Sequence, residues 1–512
     1  MSKNKTNVSC FFSPLPGRGR GRLLHGFLLI LFCLILFSAT AQQILTLEKA
    51  LEIADTNSPD IRKSLLNLEN SEQSLKAQKA ALKSNFSLGV TPYSFNQTRS
   101  FDNYNAKWFT SKTTQSLGTL TVSQPILPTD GTISLVNQFG WQDKSSIQGD
   151  ISTTSKAYTN YLSLSIDQPI FTYNRTKLQL KQLELNLENA QLNYAMQRLA
   201  MEKQVTQYFY SVYLAQMNLD ISKDEFNNTQ KSFEITQNKV TAGIAAKEEL
   251  YQAELNFASA KSTYENAQVN LDNLKDQFKQ YIGMDILDDI TVMANIELSP
   301  IPIDQKKALD YGLSSRMELR QRAISVESSL FDMIKTKALN EFKGSIGLSL
   351  GITGDDPKLK NIYDNPTNNP KVSVSFNIPL YDWGEKKARI KAQEAVIETQ
   401  KISEVEQKKQ IMVDIRKVCR NLQNLINQID IARQNEKNAQ LTYEINLERY
   451  SNGDLTSMDL NLYQTQLSQK KMAYAQALID YKNELLNLKV QSLYDFETNQ
   501  AVVPQNIIQK KQ

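Results

Sequence analysis

Histidine is almost absent from this chain, occurring once in 512 residues, and cysteine occurs three times. His25, Cys10 and Cys33 all fall within the first 41 residues. Those residues read as a secretory signal: Lys3, Lys5, Arg18, Arg20 and Arg22 precede the apolar run GFLLILFCLILFS, and Ala39-Thr40-Ala41 precedes Gln42. The run is too short to span a bilayer comfortably. Cys33 follows Phe32, which does not suit a lipoprotein cleavage site. The chain left after cleavage therefore has no histidine and one cysteine, Cys419. That excludes Ser-His-Asp triads, Cys-His dyads, histidine metal sites and intrachain disulfides. No Gly-rich phosphate loop and no thiolate metal motif is present, and the acids are spread along helical patterns as solvated faces. No enzyme activity, cofactor or metal is expected, and Cys419 reads as a small packed side chain inside a helix.

An excess of basic charge is also missing. The formal charge of +4 falls to −1 when the five basic residues of the signal, which has no acid, are removed. A nucleic-acid partner would require a basic surface that the remaining chain lacks.

What the sequence does contain is repetition. At an offset of 210, Leu162, Leu164, Ile166 and Pro169 fall on Val372, Val374, Phe376 and Pro379, and Gly243 falls on Gly453. At an offset of 258, KALEIADTNSPDIR (49–62) falls on KALDYGLSSRMELR (307–320), so the first copy carries about 48 extra residues. The expected organisation is a signal at 1–41, a first repeat at 42–296 with an insertion at 91–157, a second repeat at 297–496 and a polar tail at 497–512. The proline-bearing ELSPIPIDQ (297–305) reads as the connector.

Each copy holds one long helix of coiled-coil pattern. Leu178, Leu185, Leu192 and Leu199 recur every seven residues beside Leu180, Leu187, Tyr194, Met201 and Tyr208. Ile411, Val418, Leu425 and Ala432 alternate with Ile415, Leu422 and Ile429. Such a 3.5-residue period lays helices side by side. The spacing predicts long helices over 174–239 and 384–449, and the 64 residues from Thr176 to Lys239 alone make a rod of about 100 Å. Shorter helices are expected at 58–84, 246–281, 316–340 and 456–490, two of them matching one long one.

Strands are expected at 86–90, 161–167, 345–353 and 371–378, where apolar residues alternate with Ser, Gly, Thr or Asn. That alternation suits transmembrane barrel strands, with Val374, Phe376, Leu162 and Leu164 toward lipid and Ser373, Ser375, Ser163 and Ser165 toward the lumen. Residues 86–173 hold 13 aromatics and only 10 charged residues in 88, the balance of a membrane band with its aromatic girdle. Four strands cannot close a barrel, since about eight is the smallest common membrane barrel, so the barrel has to be shared between chains. A strand running directly into a rod is a natural design for a tube.

The chain resembles the TolC-like outer-membrane channels of bacterial efflux and type I secretion systems. The resemblance is carried by the duplicated layout, by QPIF (168–171) and IPLYDWGEKKARI (378–390), and by the helix-tip segments NKVTAGIAAKEEL (238–250) and ERYSNGDLTSMDL (448–460). It implies an α+β membrane protein in which a homotrimer builds one twelve-stranded transmembrane β-barrel, about four strands per chain, continuous with a periplasmic coiled-coil tunnel. It further implies a place in the outer membrane of a Gram-negative-type envelope, contact with its lipid, and partnership with a periplasmic membrane-fusion adaptor and an inner-membrane transporter. The insertion includes LGTLTVSQPIL (117–127) and GTISLVNQFGW (131–141), which read as two further strands or an external hairpin.

Site residues follow from the resemblance only at the periplasmic tips. Gly243 and Gly453 with Lys239 and Arg449 would dock the adaptor. Asp459, Tyr450 and Glu249 would form the pore gate, Asp459 as a three-fold ring of carboxylates and Tyr450 through its hydroxyl. Leu462 stands where some relatives carry a second acid. Two other classes compete with a passive exit duct: a periplasmic coiled-coil scaffold or adaptor without a pore, and a carboxylate-based secreted hydrolase.

Overall fold

The computed structural model describes residues 43–103, 106–148, 151–294, 296 and 300–502. The signal segment, residues 297–299 of the connector and most of the polar tail lie outside the described residues.

Two very long helices organise the chain. α3 (Arg175–Thr241) has 67 residues and α7 (Glu385–Asn452) has 68, each about 100 Å of rod. Four shorter helices flank them: α2 (Pro59–Ala81), α4 (Lys247–Ile282), α6 (Met317–Lys337) and α8 (Ser457–Ser492). Helices α2 and α4 lie along one side of α3, while α6 and α8 lie between α3 and α7. Each pair of short helices thus covers the length of one long rod, as the heptad pattern implied. The buried seam keeps the expected register, with Leu185, Tyr194, Leu199 and Met201 on α3 and Ile411, Ile415, Val418, Leu422 and Ile429 on α7.

At mid-length two apolar clusters lock the rods together. In the first, the parallel pair β1 (Gln43–Leu45) and β6 (Ile290–Val292) and helix α1 (Leu47–Asn57) bury Leu45, Ala50 and Ile290 against Val205 and Phe209 of α3 and Phe278 and Ile282 of α4. In the second, α5 (Gln305–Ser315) packs Ala308 against Ile411 and Ile415 of α7 and Leu485 and Leu488 of α8. The latter cluster is closed by Tyr494 and Phe496, which lie at and beyond β9 (Tyr494–Asp495), paired with β10 (Gln500–Ala501). Burial of such residues stabilises the belt by about 25 cal/mol per Å² of apolar surface.

Above the belt stands one antiparallel sheet. Its order is β2 (Asn85–Asp102), β3 (Lys107–Ile126), β4 (Gly131–Gln148), β5 (Ile151–Ile170), β7 (Lys343–Asp356) and β8 (Thr367–Asn377). The sheet of the chain holds six strands, two more than the four segments of alternating pattern. LGTLTVSQPIL and GTISLVNQFGW are β3 and β4, paired through Leu120 opposite Asn137 and Val122 opposite Leu135. Strand β2 pairs with β3, and β5 pairs with β4 on one side and β7 on the other. The strands are also longer than the alternation suggested, because β3 and β5 have 20 residues each where a tilted membrane strand needs about 9–11.

The pairing puts one chemistry on each face. Phe86 and Leu88 of β2, Val122 and Leu120 of β3, Leu135 of β4, Leu164 and Leu162 of β5, Leu350 and Ile352 of β7, and Val372 and Val374 of β8 share one side through successive cross-strand pairs. Ser87, Thr121, Val136, Ser163, Gly351 and Ser373 belong to the other. On the central strand β5, Leu164 on the apolar side is 45% exposed and Ser163 on the other only 6%.

Strand runs into helix through short junctions. Four residues, 171–174, separate β5 from α3, and Asn174 caps the helix by accepting from the Lys177 N–H at 2.7 Å. Seven residues, 378–384, separate β8 from α7, where the Asp382 carboxylate accepts from the N–H groups of Gly384 at 3.0 Å and Lys386 at 3.1 Å.

Candidate functional site

The far ends of the rods turn in the same way twice. Gly243 (φ +74°) and Gly453 (φ +90°) take the left-handed conformation that ends a helix with least strain. Around Gly243, the N–H of Ile244 donates to the Lys239 carbonyl at 2.8 Å and that of Gly243 to Val240 at 3.0 Å. Around Gly453, the N–H of Asp454 donates to Arg449 at 2.9 Å and that of Gly453 to Tyr450 at 3.1 Å. A Cβ at either glycine would meet nothing within 4 Å, so the residue type is set by backbone conformation rather than by crowding. Lys239 and Arg449 sit in the last turns, where cations complement the helix dipole.

The restart after each turn differs. Thr456 caps α8 by accepting from the Asp459 N–H at 3.2 Å and donating its hydroxyl to the Asp459 carboxylate at 2.8 Å. Ala246 offers α4 no side-chain cap, and Glu249 is exposed beside it. The two acids expected to act alike thus stand in different surroundings, one engaged in a cap and one pointing to solvent.

Tyr450 is 5% exposed and crosses from α7 to α3. Its hydroxyl lies 3.1 Å from the Ser232 hydroxyl and 3.4 Å from that of Thr236. The Lys239 ammonium sits 5.0 Å from the centre of its ring, within cation–π range. The expected site residues Tyr450 and Lys239 are therefore brought together, and Ser232 and Thr236 join them. Tyr450, Lys239, Ser232 and Leu460 line a cleft of about 380 Å³ between α3, α4, α7 and α8. A signal for Thr236 was present in the sequence: the heptad series of Leu180, Leu187 and Met201 continues as Ala215, Ser222, Thr229 and Thr236, all four buried. The seam changes from large apolar residues to small hydroxyls as it approaches the tip. Stacked rings hold α4 to α3, Phe226 on Phe257 at 5.4 Å and Phe233 on Phe257 at 5.8 Å.

Among the described residues no group of three or more His, Cys, Asp or Glu could hold a metal ion. Burial pushes the Cys419 thiol above its ordinary range, which leaves it protonated and weakly nucleophilic. No helix among the described residues is long and apolar enough to cross a membrane.

The chain thus joins an apolar-faced sheet to long helical rods whose tips turn in pairs. The sequence matches the outer membrane efflux protein family over residues 132–284 and 342–491, and the chain belongs to that family. Its fold is similar to solved outer-membrane channels. The CmeC outer membrane channel of Campylobacter jejuni is 15% identical with a TM-score of 0.68, over 91% of this chain and 88% of that one. The outer membrane protein VceC of Vibrio cholerae is 13% identical with a TM-score of 0.62, over 88% of this chain and 95% of that one. The MtrE outer membrane channel of Neisseria gonorrhoeae, solved in its open state, is 13% identical with a TM-score of 0.63, over 90% of each chain. A sequence search among curated proteins found no match.

Proposed function

We propose that the mature protein is the outer-membrane exit duct of a tripartite efflux or type I secretion system. Three copies share one barrel and one periplasmic tunnel, and substrates pass through them passively from a periplasmic adaptor and inner-membrane transporter to the exterior. The observation that carries this reading is the continuity of the apolar-faced sheet with the rods, through the short junctions at 171–174 and 378–384. A periplasmic scaffold without a pore would have no use for a sheet whose exposed face presents Phe86, Leu88, Val372 and Val374.

The tips are proposed as gate and docking site. The hydroxyl-lined seam at Ser222, Thr229 and Thr236 is cheaper to open than the apolar seam above it, because the exposed groups regain water. Phe226, Phe233 and Phe257 keep α4 on α3, so the α7–α8 pair is the part that separates. Tyr450 on Ser232 latches that pair closed, a three-fold set of Asp459 carboxylates attracts cations at the entrance, and Glu249 adds charge at the outer tips. Gly243 and Gly453, with Lys239 and Arg449, form the ends on which the adaptor docks. Purified protein in planar bilayers tests the reading: it should have the mass of a trimer and conduct ions in a membrane. A monomer that remains soluble without detergent and forms no pore would end it.

A further inference from the structure

The edge of β4 that a four-stranded contribution would offer to a neighbouring chain is already occupied. β3 pairs along β4 from Ile126 opposite Gly131 to Phe109 opposite Gln148, and β2 pairs along β3 in turn. The family match starts at residue 132, at the beginning of β4, and leaves β2 and β3 outside it. We propose that the β2–β3 hairpin is barrel wall, and that the barrel closes where β8 of one chain pairs with β2 of the next. The proposal rests on the trimer reading above, and three chains of six strands then give a wall of eighteen.

Three observations place the hairpin in the wall. Its residues keep the phase of the other four strands, with Phe86, Leu88, Leu120 and Val122 on the apolar side and Ser87, Gly89, Thr119 and Thr121 on the polar side. A hairpin lying outside the membrane would not need a lipid-facing band in register with β4 and β5. The free edges also match. β8 is exposed along its whole length and β2 along nearly all of it, whereas β3, β4 and β7 are largely covered. Backbone groups left unpaired in hydrocarbon are too costly to persist. Finally, the directions suit closure, because β2 leaves the rods and β8 returns to them, so the new pair is antiparallel like every other in the sheet. β2 starts at Asn85 and β8 ends at Asn377, which sets Phe86, Leu88 and Val90 level with Phe376, Val374 and Val372. Since diameter grows roughly linearly with strand number, an eighteen-stranded barrel is about half again as wide as a twelve-stranded one.

Disulfide linking of the full mature protein, in a Cys419→Ser background, tests the seam. Leu88→Cys is combined in turn with Val372→Cys, Val374→Cys and Phe376→Cys, and with Ser373→Cys and Ser375→Cys as controls of phase. Oxidation in membranes should link neighbouring chains at one or more of the first three positions and at neither serine. In parallel, a fluorophore on Leu120→Cys should be quenched by spin-labelled lipid at least about twofold more than one on Thr121→Cys, because successive wall residues alternate between lipid and lumen. A trimer that links Val374→Cys to Leu135→Cys on β4, that shows no link from Leu88→Cys, or in which positions 120 and 121 are quenched equally overturns this proposal alone. A protein that is monomeric by mass overturns the trimer reading, and the proposal with it.

Discussion

Asp130, in the turn between β3 and β4, holds the amino end of the long helix α3 through Thr176. Its carboxylate accepts from the Thr176 N–H at 3.0 Å and the Arg175 N–H at 3.3 Å, and the Thr176 hydroxyl donates to it as well. Asn174 reaches back to donate to the Leu127 carbonyl at 2.6 Å. The junction of sheet and rod is thus made by a strand turn that lies against the helix, and a negative charge there complements the helix dipole. Asp130 has φ +63°, a conformation that Asn tolerates and Ala does not. Asp130→Ala should therefore destabilise the assembled protein by about 1–2 kcal/mol, through a lost cap and added strain, and Asp130→Asn by less than half of that. Guanidinium unfolding followed by circular dichroism would show it; equal loss in the two variants would mean that the cap contributes nothing.

The phase of β8 gives a second expectation. Val374 lies opposite Ile346 on the apolar side, and Ser375 lies opposite Ser345 on the other. A charge on the lipid side at mid-membrane costs about 2–4 kcal/mol, while a lumen position tolerates it. Val374→Arg should sharply reduce assembled protein in the outer membrane and Ser375→Arg should leave it near wild type. Quantitative immunoblotting of membrane fractions compares them, and equal yields would mean that the sheet does not face lipid.

The rods were legible in the sequence because heptads repeat for many turns, and every long helix ends within a few residues of its expected bounds. Strand number was less legible. In β3, Gly118 and Thr119 leave only Leu120 and Val122 to mark the apolar side, and from Lys107 to Ser116 the residues KWFTSKTTQS are mostly polar on both sides. Without a wet and a dry side there is no period of two to read, so the half of β3 before residue 117 was not visible. The Tyr450 contact was half legible: its position near a tip glycine is local, whereas its partners Ser232 and Thr236 lie more than 200 residues earlier and are set by helix packing.

A pH dependence follows from the tie between α3 and α6. Arg320 donates to both carboxylate oxygens of Glu188, at 2.6 and 2.8 Å, and these hydrogen bonds hold the Glu188 carboxyl below its ordinary range. A carboxyl depressed in the folded state adds stability above its unfolded pKa of about 4.3, and that stability is lost as pH falls through the lower folded value. Wild type should therefore melt above Glu188→Gln at pH 7, and the gap should be smaller at an acidic pH below the unfolded value of about 4.3. Melting curves of both proteins at the two pH values check this, and a gap of equal size in acid would assign the effect to packing.

The Tyr450 latch predicts a coupling between two helices. Tyr450→Phe keeps the ring under Lys239 and removes only the hydroxyl that meets Ser232 at 3.1 Å. Each of Tyr450→Phe and Ser232→Ala should favour the open tip by about 0.5–1.5 kcal/mol, and the double variant should add little to either. Opening frequency in planar bilayers reads the coupling, and strictly additive effects would show that the two hydroxyls act apart.

Asp459 has two possible tasks that a pair of substitutions separates. Its carboxylate accepts from the Thr456 hydroxyl at 2.8 Å, and its N–H donates to that hydroxyl at 3.2 Å, so part of its role is to start α8. Asp459→Asn keeps an oxygen able to accept from Thr456 but removes the charge. Thr456→Ala keeps the charge and removes the cap, at a cost of about 1 kcal/mol to the helix start. If carboxylates from three chains line the entrance, Asp459→Asn should lower the preference for cations over anions while leaving thermal stability close to wild type, since ring charges set selectivity in pores. Thr456→Ala should do the reverse, lowering stability at unchanged selectivity. Reversal potentials measured under a salt gradient, beside melting curves of the same preparations, give both readouts. Unchanged selectivity in Asp459→Asn would leave Asp459 a helix cap and place the charge of the entrance elsewhere.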